Sequence, residues 1–301
     1  MSTEDQIQSL QAQFGINGAL RFEAGDGGLI RAVCTGKDVE GYVYLHGAHV
    51  AHYQRRGERA LVFMSGASQF AADKAIRGGV PICFPWFGPK KDDAKAPAHG
   101  FARLKQWGVE SAKKTDDGGV QIVLALASDE STCALWPGEF LARYTVTFGK
   151  QLRLTLEVRN TGRESITFEE ALHTYLSVAD IRQVRVEGLG GTEYIDKVQG
   201  GKRVAQGAEP VTFTGETDRI YLKTQSTCVV HDAVGGRAIS VGKSGSDTTV
   251  VWNPWIAKAK AMGDFGDDEW PTMVCIETCN VADFAVTLAA GASHLMEAVI
   301  T

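Results

Sequence analysis

The chain has 301 residues, a formal net charge of -5 and 44% hydrophobic residues, which is enough for a large buried core. It contains no block of basic residues, and this argues against nucleic acid as its main partner. Acidic residues follow Met1 where a signal peptide would be basic, and no run reaches the roughly 18 apolar residues of a membrane span. We therefore expect a cytoplasmic protein without a membrane partner, and the lack of a heptad pattern favours a monomer.

Residues 1–19 form an N-terminal segment with one helical pattern. Ile7, Leu10 and Phe14 recur at helical spacing and predict a short amphipathic helix over residues 4–14. From residue 20 onward strand patterns dominate, and apolar and polar residues alternate with a period of two over residues 152–159. Residues 144–148 precede this run across Gly149-Lys150, which predicts a hairpin with a two-residue turn.

Two further pairs of strand-like runs have similar spacing. Residues 237–243 and 248–252 flank a turn-rich segment at 244–246, and residues 284–288 and 294–300 flank Ala290-Gly291. Strands do not alternate regularly with helices, and no linker or fixed repeat divides the chain. The sequence therefore predicts an all-β fold, with one large antiparallel β-sandwich domain over residues 20–301.

The six cysteines are scattered through apolar, strand-like segments. They are Cys34, Cys83, Cys133, Cys228, Cys275 and Cys279. In a long chain without a signal peptide, this distribution predicts buried free thiols. Cys275 and Cys279 are four residues apart without a second ligand pair at zinc spacing, so we expect no metal site.

Residues 76–89 form the least regular segment, with a charge, paired glycines, three prolines and three aromatic residues. Proline interrupts sheet hydrogen bonding, which predicts an irregular loop, and Gly78-Gly79 allow a ligand or a neighbouring backbone to approach closely. Arg77 is a candidate anion ligand because guanidinium matches phosphate geometry. The alternative is that Arg77 caps a turn while the aromatic rings fill the core.

A second loop carries His99 and Arg103 within Ala98-His99-Gly100-Phe101-Ala102-Arg103. The imidazole and the guanidinium could converge with Arg77 on one anion or sugar. The alternative is a surface loop with a structural histidine, and the local sequence leaves both interpretations open.

Two titratable groups lie in runs that should be buried. His173 follows Glu169 and Glu170 in an apolar run, where a histidine is more often a core residue than a catalyst. We interpret the two carboxylates before it as charges at the start of a strand. Glu277 lies in the middle of another apolar run. A buried carboxylate is costly unless paired or functional, so Glu277 indicates a site, with a salt bridge to an arginine as the alternative.

The last candidates are polar or aromatic residues between these two runs. Asp218 either accepts hydrogen bonds from sugar hydroxyls or caps a turn. Trp252 and Trp255 have flat faces that suit sugar C–H surfaces, although core packing is the commoner use. Lys258 and Lys260 follow them and are interpreted as solvated charge.

These segments, in this order, resemble the aldose 1-epimerase superfamily and, within it, the hexose-6-phosphate mutarotases, also called glucose-6-phosphate 1-epimerases. The resemblance covers roughly residues 20–300, and none of its motifs is decisive alone. The matching stretches are Arg77-Gly78-Gly79-Val80-Pro81 with Phe84-Pro85 and Phe87-Gly88, His99-Gly100-Phe101-Ala102-Arg103, Trp136-Pro137 before Phe140, Leu172-His173-Thr174-Tyr175, Thr217-Asp218-Arg219-Ile220-Tyr221, Val251-Trp252-Asn253-Pro254-Trp255 and Glu277.

The resemblance implies a sandwich of the galactose-mutarotase type with an open cleft on one sheet. It implies His173 as general acid and Glu277 as general base, Arg77 and Arg103 as phosphate ligands, and Asp218 as a sugar ligand. Interconverting α and β anomers requires a proton placed on the ring oxygen and another removed from the O1 hydroxyl. Histidine and a partly desolvated glutamate suit these transfers, and no metal or redox cofactor is required.

The sequence departs from the family pattern at one position in the loop that carries His99. We expect His99 itself to bind substrate or to support Arg103. Ala98 stands where some relatives have a glutamine whose amide touches the ligand, so that single contact is in doubt. The reaction itself does not depend on it.

Three other functions stay open beside the expected isomerase acting on hexose 6-phosphates, first of all D-glucose 6-phosphate. An aldose 1-epimerase of neutral sugars would not need Arg77 and Arg103. A non-catalytic carbohydrate-binding sandwich would not need His173 together with Glu277. A glycosidase would require two carboxylates that flank the scissile bond.

Overall fold

The computed structural model describes residues 2–301 and shows three α-helices and five short 3₁₀ helices in that part of the chain. The α-helices are α1 (Thr3–Phe14), α2 (Glu130–Cys133) and α3 (Trp255–Ala261). The 3₁₀ helices are Asp26–Gly28, Ala102–Leu104, Ile181–Gln183, Trp270–Thr272 and Ala282–Phe284.

Strands make up most of the regular structure. In chain order they are β1 (Leu20–Ala24), β2 (Ile30–Thr35), β3 (Val39–Tyr44), β4 (His49–Arg55), β5 (Ile82–Cys83), β6 (Gly108–Lys114), β7 (Val120–Ala127), β8 (Phe140–Phe148), β9 (Leu152–Asn160), β10 (Ile166–Phe168), β11 (Glu170–Leu172), β12 (Tyr175–Ser177), β13 (Val184–Glu187), β14 (Glu193–Asp196), β15 (Lys202–Ala205), β16 (Val211–Thr212), β17 (Thr217–Leu222), β18 (Cys228–Asp232), β19 (Arg237–Ser244), β20 (Thr248–Asn253), β21 (Met273–Asn280), β22 (Val286–Leu288) and β23 (Ser293–Ile300).

The predicted N-terminal helix is confirmed as α1. Ser2 caps it, because its hydroxyl accepts a hydrogen bond from the Asp5 N–H while the Asp5 carboxylate accepts one from the Ser2 N–H. The apolar side chains Ile7, Leu10 and Phe14 pack against the core, as their spacing predicted.

Two large sheets confirm the predicted antiparallel β-sandwich. One has nine strands in the order β16-β13-β18-β19-β23-β9-β8-β7-β6, and the other has eight, in the order β15-β14-β17-β20-β21-β11-β5 with β12 also paired to β21. A four-stranded sheet, β1 to β4, and the pair β10-β22 complete the structure. Burial alternates along β8 and β9, so one face of the nine-stranded sheet contacts the core and the other contacts solvent. The division into an N-terminal segment and a single domain stays a prediction.

The predicted hairpins are only partly correct. β8 and β9 do pair, but Phe148 lies opposite Leu152, so the turn has three residues instead of two. β19 and β20 belong to different sheets, and the segment between them carries the chain from one sheet to the other. β22 pairs with β10, whereas β23 pairs with β9 and β19, so these two strands do not form a hairpin. A local turn signal cannot show which sheet the next strand joins.

Residues 76–89 lie beside β11. Most of this segment has irregular backbone, and its short strand β5 pairs with β11. The paired glycines admit a neighbouring backbone, since both have positive φ and a side chain at Gly79 would collide with the carbonyl oxygen of Val50. Phe84 packs edge to face against Phe101 and Phe140 in the core. The alternative that aromatic rings of this segment fill the core is therefore correct for Phe84.

All six cysteines are free thiols, and five of them are buried while Cys133 is half-buried. Within residues 2–301 no helix has the length and apolar character needed to cross a membrane.

We expect Gly79→Ala to destabilise the protein by roughly 2–4 kcal/mol, from the left-handed backbone and the collision together. Urea denaturation measures the change through the midpoint at constant slope. Gly191→Ala is the matched control, since Gly191 has the same sign of φ and open space around it. Equal losses in the two variants would show that the collision contributes nothing.

Candidate active site

Glu277 lies in the middle of β21, a strand whose residues are all buried. Its side chain is 1% exposed, and neither carboxylate oxygen has a hydrogen-bonding partner among the described residues. Burial raises the pKa of Glu277 well above its ordinary value, and the negative charge of Asp218 adds to this rise. This environment therefore disfavours the ionised form of the carboxyl.

His173 lies at a break between two strands instead of within one strand. β11 ends at Leu172 and β12 begins at Tyr175, and both pair with β21. The His173 N–H donates to the Pro81 carbonyl at 3.0 Å, which ties the break to the segment 76–89. At this break the His173 Nε2 lies 3.4 Å from the Glu277 Oε1.

Aromatic rings enclose the imidazole of His173. The ring stacks on Tyr175 at 4.8 Å, and Trp252 and His99 stand edge-on at 5.9 and 5.8 Å. Burial lowers the pKa of His173 well below its ordinary value, and the nearby positive charges of Arg77 and Arg103 lower it further. The partner of Glu277 is thus a neutral histidine, and the alternative of a salt bridge to an arginine is wrong.

A cavity of about 320 Å³ opens above this pair, and we call it the His173 cavity. Five of the six sequence-predicted site residues line it, namely Arg77, His99, His173, Asp218 and Glu277. Its other lining residues are Phe87, Gly88, Pro89, Lys197, Val250, Trp252, Lys258 and Met262. The eight-stranded sheet forms its floor, since β17, β20 and β21 supply Asp218, Val250, Trp252 and Glu277.

Arg103 is the predicted residue that does not line the His173 cavity. Its Nη2 donates to the Ala98 carbonyl at 2.8 Å, and its Nε is buried without a partner. Its charge nevertheless acts on the site, because it lowers the pKa of His99 and of His173.

Arg77 lines the cavity but is already engaged by other side chains. Its Nε and Nη2 donate to the Asp264 carboxylate at 3.2 and 2.9 Å, and its Nη1 donates to the Tyr175 hydroxyl at 2.9 Å. The ion pair with Asp264 is largely buried, and it offsets the guanidinium charge. Arg77 therefore fastens its own loop to the ring that stacks on His173, instead of capping a turn.

His99 takes a left-handed backbone, with φ of 64°, and lines the cavity opposite Phe87. Its Nδ1 accepts a hydrogen bond from the Gly88 N–H at 3.3 Å. Burial lowers the pKa of His99 to about 3, so the ring is neutral and its proton resides on Nε2. The ring can donate one hydrogen bond from Nε2.

Asp218 is a strand residue on β17, opposite Trp252 of β20, so it does not cap a turn. Burial raises its pKa to about 6, although the charges of Lys197 and Lys258 oppose this rise. The carboxylate form, which accepts hydrogen bonds from hydroxyl groups, is the main form above that pH.

Sequence reasoning missed three residues that shape the site. Lys197 was not considered and Lys258 was interpreted as solvated charge, yet both line the His173 cavity. Glu169 is a brace, since its two oxygens accept hydrogen bonds from the N–H groups of Phe87 and Ala282, both at 2.8 Å. No local pattern distinguishes these residues from ordinary surface charges.

One group of side chains could in principle hold a metal ion. Ligand atoms of His173, Cys275 and Glu277 lie within 4.8 Å of one another, and all three residues are buried. Burial raises the pKa of the Cys275 thiol well above its ordinary value, so the thiolate that a metal requires is disfavoured. The metal-free site stays a prediction.

The chain is similar to known proteins over most of its length. The family model described as aldose 1-epimerase matches residues 33–301. A relative from Salmonella typhimurium, provisionally named a glucose-6-phosphate 1-epimerase, is 41% identical over 236 residues, which are 78% of this chain and 77% of the relative. A relative from Escherichia coli with the same provisional name is 37% identical over 255 residues, 85% of this chain and 84% of the relative.

Solved structures of similar proteins also match this chain over most of its length. A crystal structure of a protein from Salmonella typhimurium, provisionally described as a mutarotase, has a TM-score of 0.88 and 32% identity, and covers 99% of this chain and 98% of its own. A galactose mutarotase related enzyme from Lactobacillus acidophilus has a TM-score of 0.70 at 15% identity, over 89% and 96% of the two chains, and shows the fold alone. The chain described above belongs to the aldose 1-epimerase family.

Proposed function

We propose that this protein interconverts the α and β anomers of a hexose 6-phosphate, first of all D-glucose 6-phosphate. The observation that carries the proposal is Glu277, a buried carboxyl without a hydrogen-bonding partner, 3.4 Å from a buried neutral histidine. Such a pair is costly to maintain for stability alone, and it faces a cavity large enough for one sugar. The names of the relatives support the phosphorylated substrate.

In this proposal His173 and Glu277 carry both proton transfers. A proton first passes from Glu277 to His173 across the 3.4 Å between them, which gives a protonated histidine and a carboxylate. His173 then donates this proton to the ring oxygen while Glu277 removes the proton of the O1 hydroxyl, and the C1–O5 bond breaks. The pair is then a neutral histidine and a protonated glutamate, which is the state that burial favours. Rotation about C1–C2 followed by the two reverse transfers closes the ring on the other face, so one proton shared by the pair serves the whole reaction.

The remaining predicted residues are proposed to hold the sugar. Above its pKa of about 6 the Asp218 carboxylate accepts hydrogen bonds from sugar hydroxyls, and the neutral His99 donates one from Nε2. Arg77 and Arg103 add positive charge on the side that would receive the phosphate. Stacked and edge-on rings around His173 keep water from the reacting atoms.

We further propose that the enzyme is a cytoplasmic monomer without a cofactor and without nucleic acid or membrane as partner. The support for this is the interspersed charge of the chain and the lack of a basic block.

A second candidate function is anomerisation of unphosphorylated sugars. The ion pair between Arg77 and Asp264 favours it, because this arginine already has an anionic partner. Anomer-exchange NMR on glucose, galactose and their 6-phosphates distinguishes the two functions, and faster exchange of all four sugars to the same extent would contradict the phosphate preference.

We expect His173→Ala and Glu277→Gln each to lower kcat/KM by about 10²–10⁴-fold, because each removes one of the two proton transfers. Anomer-exchange NMR measures the rates, and circular dichroism checks the fold. Glu157→Gln, the same change on β9 of the other sheet, is the matched control and should retain full activity. Unchanged exchange in either active-site variant would refute the assignment of the pair.

We expect kcat/KM to fall as the pH falls through about 6, because Asp218 becomes protonated and loses the carboxylate that accepts hydrogen bonds from the sugar. The second ionisation of a sugar phosphate, near pH 6, falls in the same range, so the profile of Asp218→Asn is the necessary comparison. That variant should retain only the titration of the substrate. Superimposable profiles of the two proteins would contradict the role of Asp218.

A further inference from the structure

The thiol of Cys275 is a buried group beside the proposed proton-transfer pair that has no role in the reaction. Cys275 lies on β21 two residues before Glu277, so the two side chains point to the same face of the strand. Across the sheet it lies opposite Tyr175 of β12 and Trp252 of β20, the residues whose rings contact His173. The register therefore places the thiol on the side of the sheet that carries the pair.

Three possible ligand atoms converge at this place. One atom from each of His173, Cys275 and Glu277 lies within 4.8 Å of the others, and the His173 Nε2 is 3.4 Å from the Glu277 Oε1. Both carboxylate oxygens of Glu277 are buried without a hydrogen-bonding partner among the described residues. Burying an unpaired polar atom is unfavourable, and a cation that coordinates the atom removes this cost. The cluster thus offers sulfur, nitrogen and oxygen to one ion, and no hydrogen bond competes at the carboxylate.

This set of donor atoms selects a class of cation. Thiolate and imidazole ligands favour a thiophilic d¹⁰ dication such as Zn²⁺ over Mg²⁺ and Ca²⁺, which prefer oxygen ligands. Zn²⁺ binds four ligands at about 2.0–2.3 Å, so small side-chain rotations are enough to bring the three atoms to coordination distance. The fourth ligand is a water or a sugar hydroxyl from the His173 cavity, because His173 and Glu277 line that cavity.

The balance of charge is compatible with a buried dication. Burial shifts the pKa of His173, Cys275 and Glu277 in the direction that favours the neutral form of each. A bound dication displaces the thiol proton and the carboxyl proton to solvent, and coordination deprotonates a thiol even where burial alone keeps it protonated. Two positive charges enter and two leave, so the cluster avoids the high cost of burying a net charge.

We propose that His173, Cys275 and Glu277 form an inhibitory site for a thiophilic divalent cation, with Zn²⁺ as the expected ion. The bound ion occupies the nitrogen and oxygen atoms that would carry the proton transfers, so the sugar ring cannot open while the ion is bound. The ion is an inhibitor and not a cofactor, so we still expect the working enzyme to be free of metal. The inhibition rests on the proposed function, whereas the binding of the ion does not.

The test uses the full chain with Cys275→Ser and Cys275→Ala, which remove the thiolate and leave both proton-transfer residues in place. Cys279→Ser is the matched control, because Cys279 is also a buried thiol on β21 but lies outside the cluster. Anomer-exchange NMR measures inhibition by Zn²⁺ and by Mg²⁺ relative to the rate of each protein without added metal. Glucose is used beside glucose 6-phosphate, since a phosphate group itself binds Zn²⁺. Circular dichroism checks the fold of each variant.

We expect Zn²⁺ to inhibit the unmodified protein competitively with the sugar, and Mg²⁺ to have no effect. Each Cys275 variant should raise the inhibition constant of Zn²⁺ about 100-fold, because loss of a residue that only supports a metal ligand already costs roughly 10–100-fold. Cys279→Ser should be inhibited like the unmodified protein. Equal inhibition of the Cys275 variants and the unmodified protein would overturn the inference, and so would the lack of any inhibition by Zn²⁺.

Binding separates this inference from the proposed function. Co²⁺ serves as a coloured probe in place of Zn²⁺, because a bond from cobalt to a thiolate gives a charge-transfer absorption band. The band should appear in the unmodified protein and in Cys279→Ser, and both Cys275 variants should lose it. A band that persists in Cys275→Ala, or that is absent from the unmodified protein, would overturn the inference. If the unmodified protein anomerises none of the four sugars, the proposed function fails, and the cobalt titration still decides whether the metal site exists.

Discussion

The active site depends on one feature that is unfavourable in free energy, the burial of Glu277 beside His173 without a hydrogen-bonding partner. An ionised carboxylate in such a place would cost several kcal/mol, and protonation avoids that cost. The neutral imidazole at 3.4 Å is close enough to exchange a proton but does not form an ion pair in this state. A substrate hydroxyl can hydrogen-bond to the oxygens of Glu277, so the cost of burying this carboxyl is linked to the binding of a sugar.

Charged residues from distant parts of the chain fix the walls around this pair. Arg77 joins the segment 76–89 to Asp264 and to the hydroxyl of Tyr175, the ring that stacks on His173. The Glu169 carboxylate accepts hydrogen bonds from the N–H groups of Phe87 and Ala282. These bonds fix the backbone of Phe87, whose ring packs against His99. Catalytic geometry depends on such supporting contacts, because an ångström of misplacement is enough to slow a reaction. Arg77, predicted as an anion ligand, and Glu169, interpreted from the sequence as a charge at the start of a strand, thus both brace the walls of the cavity.

The sequence predicted the parts of the fold that local physics determines. The period of two predicted β8 and β9, and helical spacing predicted α1, because each pattern reports one buried face. The strand partners predicted for β19 and β22 were wrong, because strand pairing depends on packing between residues that are far apart in the sequence. The approach of His173 to Glu277 arises from the pairing of β11 and β12 with β21, and only the resemblance to a family pointed to it. Lys197 gave no signal, because a lysine beside a cavity and a lysine in solvent have the same sequence context.

A phosphorylated substrate would bring charge and proton chemistry into the same cavity. An anionic ligand at short range would favour the protonated form of His173 and so oppose the neutral imidazole that burial favours. The ion pair of Arg77 with Asp264 limits the positive charge beside them. Lys197 and Lys258 also line the cavity, and their side chains are exposed to solvent. In the proposed function, a substrate phosphate held away from the reacting carbon contributes binding energy, while the proton transfers take place at the buried pair of His173 and Glu277.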